Sequence, residues 1–492
     1  MAKKGIAKIK IPVRANGLTI ELVEKYLPTV FSQFQQNAEI IRSDYDKYCL
    51  NHDILTKVRP HDDTDVNNIV LIPNLKSVID WKLGYVFGNP IKYTQTKTND
   101  TDDINYLNRY VRSAKQRSID KEVGKWAYAT GVGYYFIEPK SEDFNIENQA
   151  PYEIYCREAD TCTKVYSSFG GNKPLFDMLY TTYEEVTDNA SKITVQVLDI
   201  YFSDYLYTYE KRTLSNWVRV SEQPRNLKKP LPLVEKRYNS DGIGIVAMAE
   251  SMQNAMDRLI SNGLDNVDDI VNEIFVYYNV NLGETAEEQK ANHTSMKKNG
   301  AVVLKSPNKD IEAKLDTISP NMSLAEIREM FGVINSIFHS VVGVPMEMSD
   351  TNSGGTTKQG SEVANGYENA YNRALDDINT FIEADTELLE KIMWVCQNTP
   401  NNKVDMLAPS DIEIKYSLNL TDNILTKTQS FVNLVNVGVP PSMALRLCKL
   451  SNDAEAEGKL IEEYKAKMQA EQQKTVKEDI TVKKENNSQE WK

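Results

Sequence analysis

The residues of this 492-residue chain that are of types that do chemistry are not spaced to assemble a reaction site. A Walker-type loop ends Gly-Lys-Ser/Thr, so that backbone amides cradle phosphates while the hydroxyl holds magnesium. Gly-Lys occurs at Gly124-Lys125 and Gly458-Lys459, but Trp126 and Leu460 follow where the hydroxyl is needed. There is no His-Glu-x-x-His helix and no Gly-x-Ser-x-Gly elbow, and Gly131-Val132-Gly133 lacks the third glycine of a dinucleotide loop. Asp63-Thr64-Asp65-Val66-Asn67 starts like a calcium loop. Its sixth position is Asn68 instead of glycine and its twelfth is Asn74 instead of a bidentate glutamate, so a solvated turn is expected. The acidic pairs Asp102-Asp103, Glu184-Glu185, Asp268-Asp269 and Asp376-Asp377 diverge by about 100° when helical, and are expected on solvated faces. The four histidines, His52, His61, His293 and His339, are dispersed. Cys49, Cys156, Cys162, Cys396 and Cys448 form no Cys-x-x-Cys pair, so neither a disulfide framework nor a zinc site is expected. These residues support no enzyme, metal or cofactor.

The elements that position them divide into two styles. The first ~240 residues read as mixed α/β. Ile20 to Leu50 is helical in pattern with an interruption at Pro28, and Leu75–Phe87 is helical before the Gly88-Asn89-Pro90 stop. Gly133–Glu138, Ile193–Tyr201 and Asp204–Tyr209 are rich in β-branched and aromatic residues and read as strands. Lys228–Pro232 marks a break. After Gly242 long helices dominate. Ile245–Ile274 keeps helical apolar steps over ~30 residues, about 45 Å of rod. A small module follows, with strands expected at Ile274–Val280, Ala301–Lys305 and Ile311–Leu315 around a polar loop. Ser323 then suits the N-cap of a second helix with Leu324, Ile327, Met330, Ile334, Phe338 and Val341 on its apolar face. Ser349–Gly360 has loop composition, and Ser361–Cys396 is a helical pattern of ~36 residues. A strand at Ile412–Leu418, a helix pair split by Gly438-Val439-Pro440-Pro441, and a tail too polar to fold complete the chain.

Composition narrows the class. Apolar residues make up 41% and charged residues 26%, which is ordinary globular usage. No stretch approaches the ~20 apolar residues that cross a bilayer, so no membrane partner is expected. The basic N-terminus lacks the apolar core of a signal peptide, and a reduced cytoplasmic birthplace is expected. The net charge of −13 lacks the basic footprint of a conventional nucleic-acid binder.

The order of these parts resembles the portal family of long-tailed bacteriophages. Asn74 to Tyr93 (NLKSVIDWKLGYVFGNPIKY) is similar to the family's early signature, and Trp126 to Glu138 (WAYATGVGYYFIE) to its next block. Asn352-Ser353-Gly354-Gly355-Thr356 before a long helix resembles the tunnel loop and the helix behind it. Lys415 to Lys459, with Asn419, Asp422 and the Val-Pro-Pro-Ser break, resembles the closing segment. The resemblance spans about residues 70 to 465, and the first ~70 residues match nothing in particular.

The resemblance implies a mainly helical α+β portal fold and a non-enzymatic, ring-forming subunit. Its parts are a wing (1–241), a stem helix (242–274), a clip (275–321), a second stem helix (322–344), a tunnel loop (345–360), a long wing helix (361–408), a crown (409–470) and a disordered tail (471–492). It implies a twelvefold ring at one capsid vertex of the virion, with double-stranded DNA passing through its channel. The other implied partners are the terminase packaging motor, the head–tail adaptor, and the major capsid and scaffolding proteins. Asn352, Ser353, Thr356, Thr357, Lys358 and Gln359 would face DNA, and Lys290, Lys297, Lys298 and Lys309 would form the docking patch of the clip. His339 would be a packed or channel-facing imidazole rather than a base. Twelve copies at −13 each carry −156 formal charges per ring, and such a wall avoids the salt-dependent grip that would brake a moving duplex. The alternatives are another virion component, such as an adaptor or minor head protein, and a nuclease or hydrolase. An annular particle in electron micrographs separates the portal from the first, and turnover with a divalent metal would mark the second.

Overall fold

The computed structural model describes residues 5–58, 67–95, 102–140, 144–186, 192–212, 215–225, 229–271, 274–278, 285–299, 314–318, 324–345, 360–404, 407–419, 424–448, 450 and 457–467. The chain opens with β1 (Ile9–Ile11), α1 (Ile20–Tyr48), α2 (Asn74–Val86), β2 (Lys92–Gln95), α3 (Asp102–Ser113) and α4 (Gln116–Thr130). Strands follow: β3 (Val132–Pro139), β4 (Tyr152–Arg157), β5 (Cys162–Ser167), β6 (Pro174–Val186), β7 (Lys192–Tyr201), β8 (Tyr205–Arg212), β9 (Val218–Pro224) and β10 (Leu233–Arg237). Next come α5 (Ile245–Val271), β11 (Ile274–Tyr278), α6 (Ala286–Asn299), β12 (Lys314–Ile318), α7 (Leu324–Val342) and α8 (Gly360–Gln397). The last elements are β13 (Ile412–Lys415), α9 (Ile424–Asn436) and α10 (Pro441–Cys448), then helix 457–467.

A six-stranded sheet of order β1-β5-β6-β7-β8-β9 is antiparallel apart from the β1–β5 pair. α1 lies on one face, because Val23, Leu27, Val30, Phe34, Ala38 and Ile41 recur at helical spacing and are buried. Pro28 does not interrupt α1. It sits inside the helix on the exposed side, where its missing N–H leaves no buried carbonyl unpaired.

α8 joins two cores. Its first half places Ala374, Ile378 and Phe381 among residues of α2, α4, α5 and α7. Its second half places Leu388, Leu389, Ile392 and Met393 against α3 and the three-stranded sheet β10-β3-β4. β2 pairs with β13, which ties residues 92–95 to residues 412–415.

The helices α2, α5, α7 and α8 lie within about three residues of their expected limits. The strand pattern was harder to read. In β6 Leu175 to Leu179 are buried in succession and Thr181 to Glu184 are exposed in succession, so no two-residue alternation appears. Where a polar loop was expected between β11 and β12, residues 286–299 form α6. Its signal is a capping box in which Thr285 Oγ1 accepts from the Glu288 amide at 3.3 Å and Glu288 Oε2 accepts from the Thr285 amide at 3.4 Å. β12 lies three residues beyond the expected Ile311–Leu315, and Ala301–Lys305 lies outside the described residues.

Candidate functional site

α5 and α7 are the rods on which the sequence reading turned. With 27 and 19 residues they are about 40 Å and 29 Å long. They pack together with Met256, Phe331, Ile334, Phe338 and Val342 in one core, and Gly263 lets Ile327 approach, since an added Cβ would lie 3.0 Å from its Cδ1.

A second face of α5 is polar and serves a role the sequence reading missed. Gln253, Asp257, Ser261 and Asp265 recur every four residues and hold an extended strap of residues 68–73 and the first turn of α2. Asp265 Oδ1 accepts from the Asn68 amide at 2.7 Å, and Ser261 Oγ from the Val70 amide at 3.0 Å. Asp257 Oδ1 accepts from the Ile72 amide at 2.9 Å, and Gln253 Oε1 from the Leu75 amide at 3.3 Å. From Asn68 through Val70 to Ile72 the match is geometric. Alternate residues of an extended chain advance by about 6.7 Å and four helical residues by about 6 Å. Buried His52 closes the ladder with Nδ1 2.8 Å from Asp257 Oδ2, and Lys57 Nζ donates to Asp265 Oδ2 at 2.5 Å. Burial by itself would raise the Asp265 carboxyl, but the Lys57 and Asn68 hydrogen bonds outweigh it and hold it below its ordinary value. Asn74 then reaches Asn335 of α7 at 3.1 Å. The visible signal was the four-residue spacing of polar residues inside an otherwise apolar helix pattern.

α7 carries apolar residues on two faces. Ile327 and Phe338 are buried as expected, but Met330 and Val341 are exposed, together with Val333 at 56% and Ile337 at 51%. These four form a stripe of three- and four-residue steps that the described residues leave uncovered. At its carboxyl end α7 stops at Gly343, whose φ of +75° and whose contact with Arg373 exclude a side chain. Arg373 of α8 donates from Nη1 to the Val341 carbonyl at 3.0 Å, so the end of α7 is fastened to α8 beyond its first three turns. His339 is half-buried against the Phe338 ring, and burial keeps its imidazole below the ordinary value despite the Val344 carbonyl at 3.4 Å.

α8 itself is pinned by buried ion pairs. Asp377 accepts from Lys82 Nζ at 2.9 Å and from the Tyr128 hydroxyl at 3.1 Å, which corrects the expectation that the Asp376-Asp377 pair is wholly solvated. Glu387 binds Lys164 at 2.5 Å and Lys391 at 2.7 Å, and burial lowers Lys391 to about 8. Lys236 of β10 is fully buried, 2.7 Å from Asp385 Oδ1, with the rings of Phe87, Tyr135, Phe381 and Tyr416 within 5.8 Å. Tyr416 bonds the other Asp385 oxygen, and the Tyr135 hydroxyl donates to Asp120 at 3.0 Å. Burial pushes the Asp120 carboxyl up to about 7.

Of the residues expected to contact partners, Lys290 is exposed on α6, and Lys297 and Lys298 fall in its last turns. Lys309, and Asn352, Ser353, Thr356, Thr357, Lys358 and Gln359, lie outside the described residues, as do Ser323, Asp63 to Val66 and the tail from 471. Among the described residues no group of acids, histidines and cysteines is placed to hold a metal ion. The five cysteines are free thiols, and no described helix is long and apolar enough to cross a membrane.

The family model for phage portal proteins, SPP1 Gp6-like, matches residues 29–478. The chain belongs to this portal family. The match starts earlier and ends later than the blocks read from sequence, taking in most of α1, where no resemblance was read. No curated protein matches the chain. As a phage portal protein it is a structural component of the virion capsid.

Proposed function

We propose that twelve copies of this portal protein close into a ring at one capsid vertex, and that double-stranded DNA is packaged and ejected through its axial channel. The observation that carries this reading is the uncovered stripe Met330, Val333, Ile337 and Val341 on α7. Large apolar side chains at helical spacing, on a helix already packed along its other side, are half a contact surface. Each is worth about 1 kcal/mol once a neighbouring copy covers it, and a head-to-tail contact repeated by rotation closes a ring. α5, with its strap, and α7 then form the stem.

In this reading the segment 345–360 lines the narrowest part of the channel between the fastened end of α7 and the start of α8. Asn352, Ser353, Thr356, Thr357, Lys358 and Gln359 face DNA, with Lys358 the single cation. The region 275–321 is the clip, whose Lys290, Lys297, Lys298 and Lys309 meet first the packaging motor and later the head–tail adaptor. The wing meets the major capsid and scaffolding proteins, and the acidic chain keeps the channel from gripping phosphates. The test is the double variant Val333→Asp/Ile337→Asp. Electron microscopy and mass measurement should show annular twelvefold particles for the parent chain and folded monomers for the variant. Rings that persist in the variant, or monomers from the parent even beside scaffolding protein, would refute the assignment.

A further inference from the structure

We propose that the cleft between β2, α3 and α4 binds the phosphodiester backbone of nucleic acid at a site separate from the channel. The proposal rests on the portal reading only in that DNA reaches the protein. The cleft has a volume of about 440 Å³, and Lys92 of β2, Arg112 of α3, Lys115 before α4 and Arg117 of α4 converge on it. Four cations at one place are unexpected in a chain of net charge −13. Among the described residues Lys92, Arg112 and Lys115 have no acidic partner, and Arg117 donates to the Gly88 carbonyl at 2.6 Å. Lys92 also stands directly opposite Lys415 in the β2–β13 ladder, a like-charge pairing that is unfavourable by itself. The nearby acid on that face, Glu413, is engaged by Lys415 at 3.6 Å.

Two further features favour an anion. The amino-terminal end of α4 opens here, with Lys115 in the left-handed conformation, and the amides of its first turn add positive potential to that of the side chains. Among the described residues Asp120 is the one acid lining the cleft. Burial raises its pKa to about 7, its Oδ1 is held by the Tyr135 hydroxyl, and Lys236 lies behind it, so it opposes an incoming anion weakly. A polypeptide is the poorer occupant. Extended peptides add to a free strand edge, but the edge of β2 facing α3 is taken. Asn108 accepts from the Tyr93 amide at 3.2 Å and donates to the Tyr93 carbonyl at 2.8 Å. A phosphate backbone needs only the cations, and the two arginine forks suit its paired oxygens. The cleft adjoins the half of α8 that begins near Ala384, about 36 Å along the helix from Gly360, so it is not part of the channel segment.

The experiment measures anisotropy of a fluorescein-labelled 30-base-pair duplex with the full chain, its ring state checked by electron microscopy. It compares the parent with Lys92→Ala/Arg112→Ala/Lys115→Ala and with Lys358→Ala. Counterion release by four phosphate contacts weakens binding about 150-fold between 50 and 200 mM salt, and by one contact about 3.5-fold. The triple variant should show the shallow dependence, and Lys358→Ala the steep one. Equal salt dependence in the parent and the triple variant overturns the proposal, as does loss of binding in Lys358→Ala alone, which would leave the channel reading intact. Labelled polyglutamate is the second probe. If the triple substitution abolishes its binding while leaving duplex binding unchanged, the cleft docks acidic protein and the proposal fails.

Discussion

Asp257→Ala should release the strap from α5, and the structure sets the size of the effect. The carboxylate accepts from the Ile72 amide at 2.9 Å and from Gln253 Nε2 at 2.9 Å, and it pairs with His52 Nδ1 at 2.8 Å. Both His52 and Asp257 are buried, and His52 Nε2 already has no hydrogen-bond partner among the described residues. Removing the carboxylate orphans the half-buried Ile72 amide and the second nitrogen of a buried imidazole. Each orphan costs about 1–3 kcal/mol, so about 3 kcal/mol in all is expected. That loss should appear locally, because the strap opens before the cores it bridges. Deuterium exchange of the peptide covering 67–75 should quicken about 150-fold, while peptides of β6 and β7 keep their protection. Ser261→Ala, which removes one acceptor from the Val70 amide, should quicken the same peptide about 10-fold. Unchanged exchange of 67–75 in Asp257→Ala would refute the view that the helix holds the strap through this ladder.

Lys236→Met leaves Asp385 buried without its cation and should cost about 3–5 kcal/mol in urea unfolding, whereas Lys236→Met with Asp385→Leu should recover much of that loss. Equal stability of the single variant and the parent would remove the pair as a fastening of α8. The Asp120 carboxyl, raised to about 7 by burial, favours the protonated form in the folded chain, so its contribution to stability grows as pH falls through 7. Between pH 7 and 5.5 the parent should gain about 1.5 kcal/mol from this group, and Asp120→Asn, whose oxygen still accepts from Tyr135, should lack that gain. Asp265, Glu235 and Glu387 are held below their ordinary values, so their loss begins at lower pH. Parallel pH profiles for parent and variant would contradict the assignment. Deleting Thr351 to Thr356 should preserve fold and ring while impairing DNA packaging or retention, and failure to assemble would make the segment structural.

What was legible in the sequence was what periodicity can carry. α5, α7 and α8 repeat apolar residues at helical spacing over many turns, and a repeat of that length leaves little ambiguity. β6 gave no such signal, since its burial changes from both faces to neither along one strand. Charged residues misled in the same way. Asp377 was expected on a solvated face, yet its partner Lys82 lies 295 positions away, and Asp385 and Glu387 of the same helix pair with Lys236 and Lys164 at separations of 149 and 223. No local pattern encodes a partner at that separation. The apolar face of α7 was read as one stripe from Leu324 to Val341. The structure divides it, with Ile327 and Phe338 turned to α5 and Met330 and Val341 to the outside. A single-chain core explains the first pair and leaves the second without a reason to be apolar. That surplus, on a helix whose end is fastened to α8 by Arg373, points from one subunit to a repeated contact between copies.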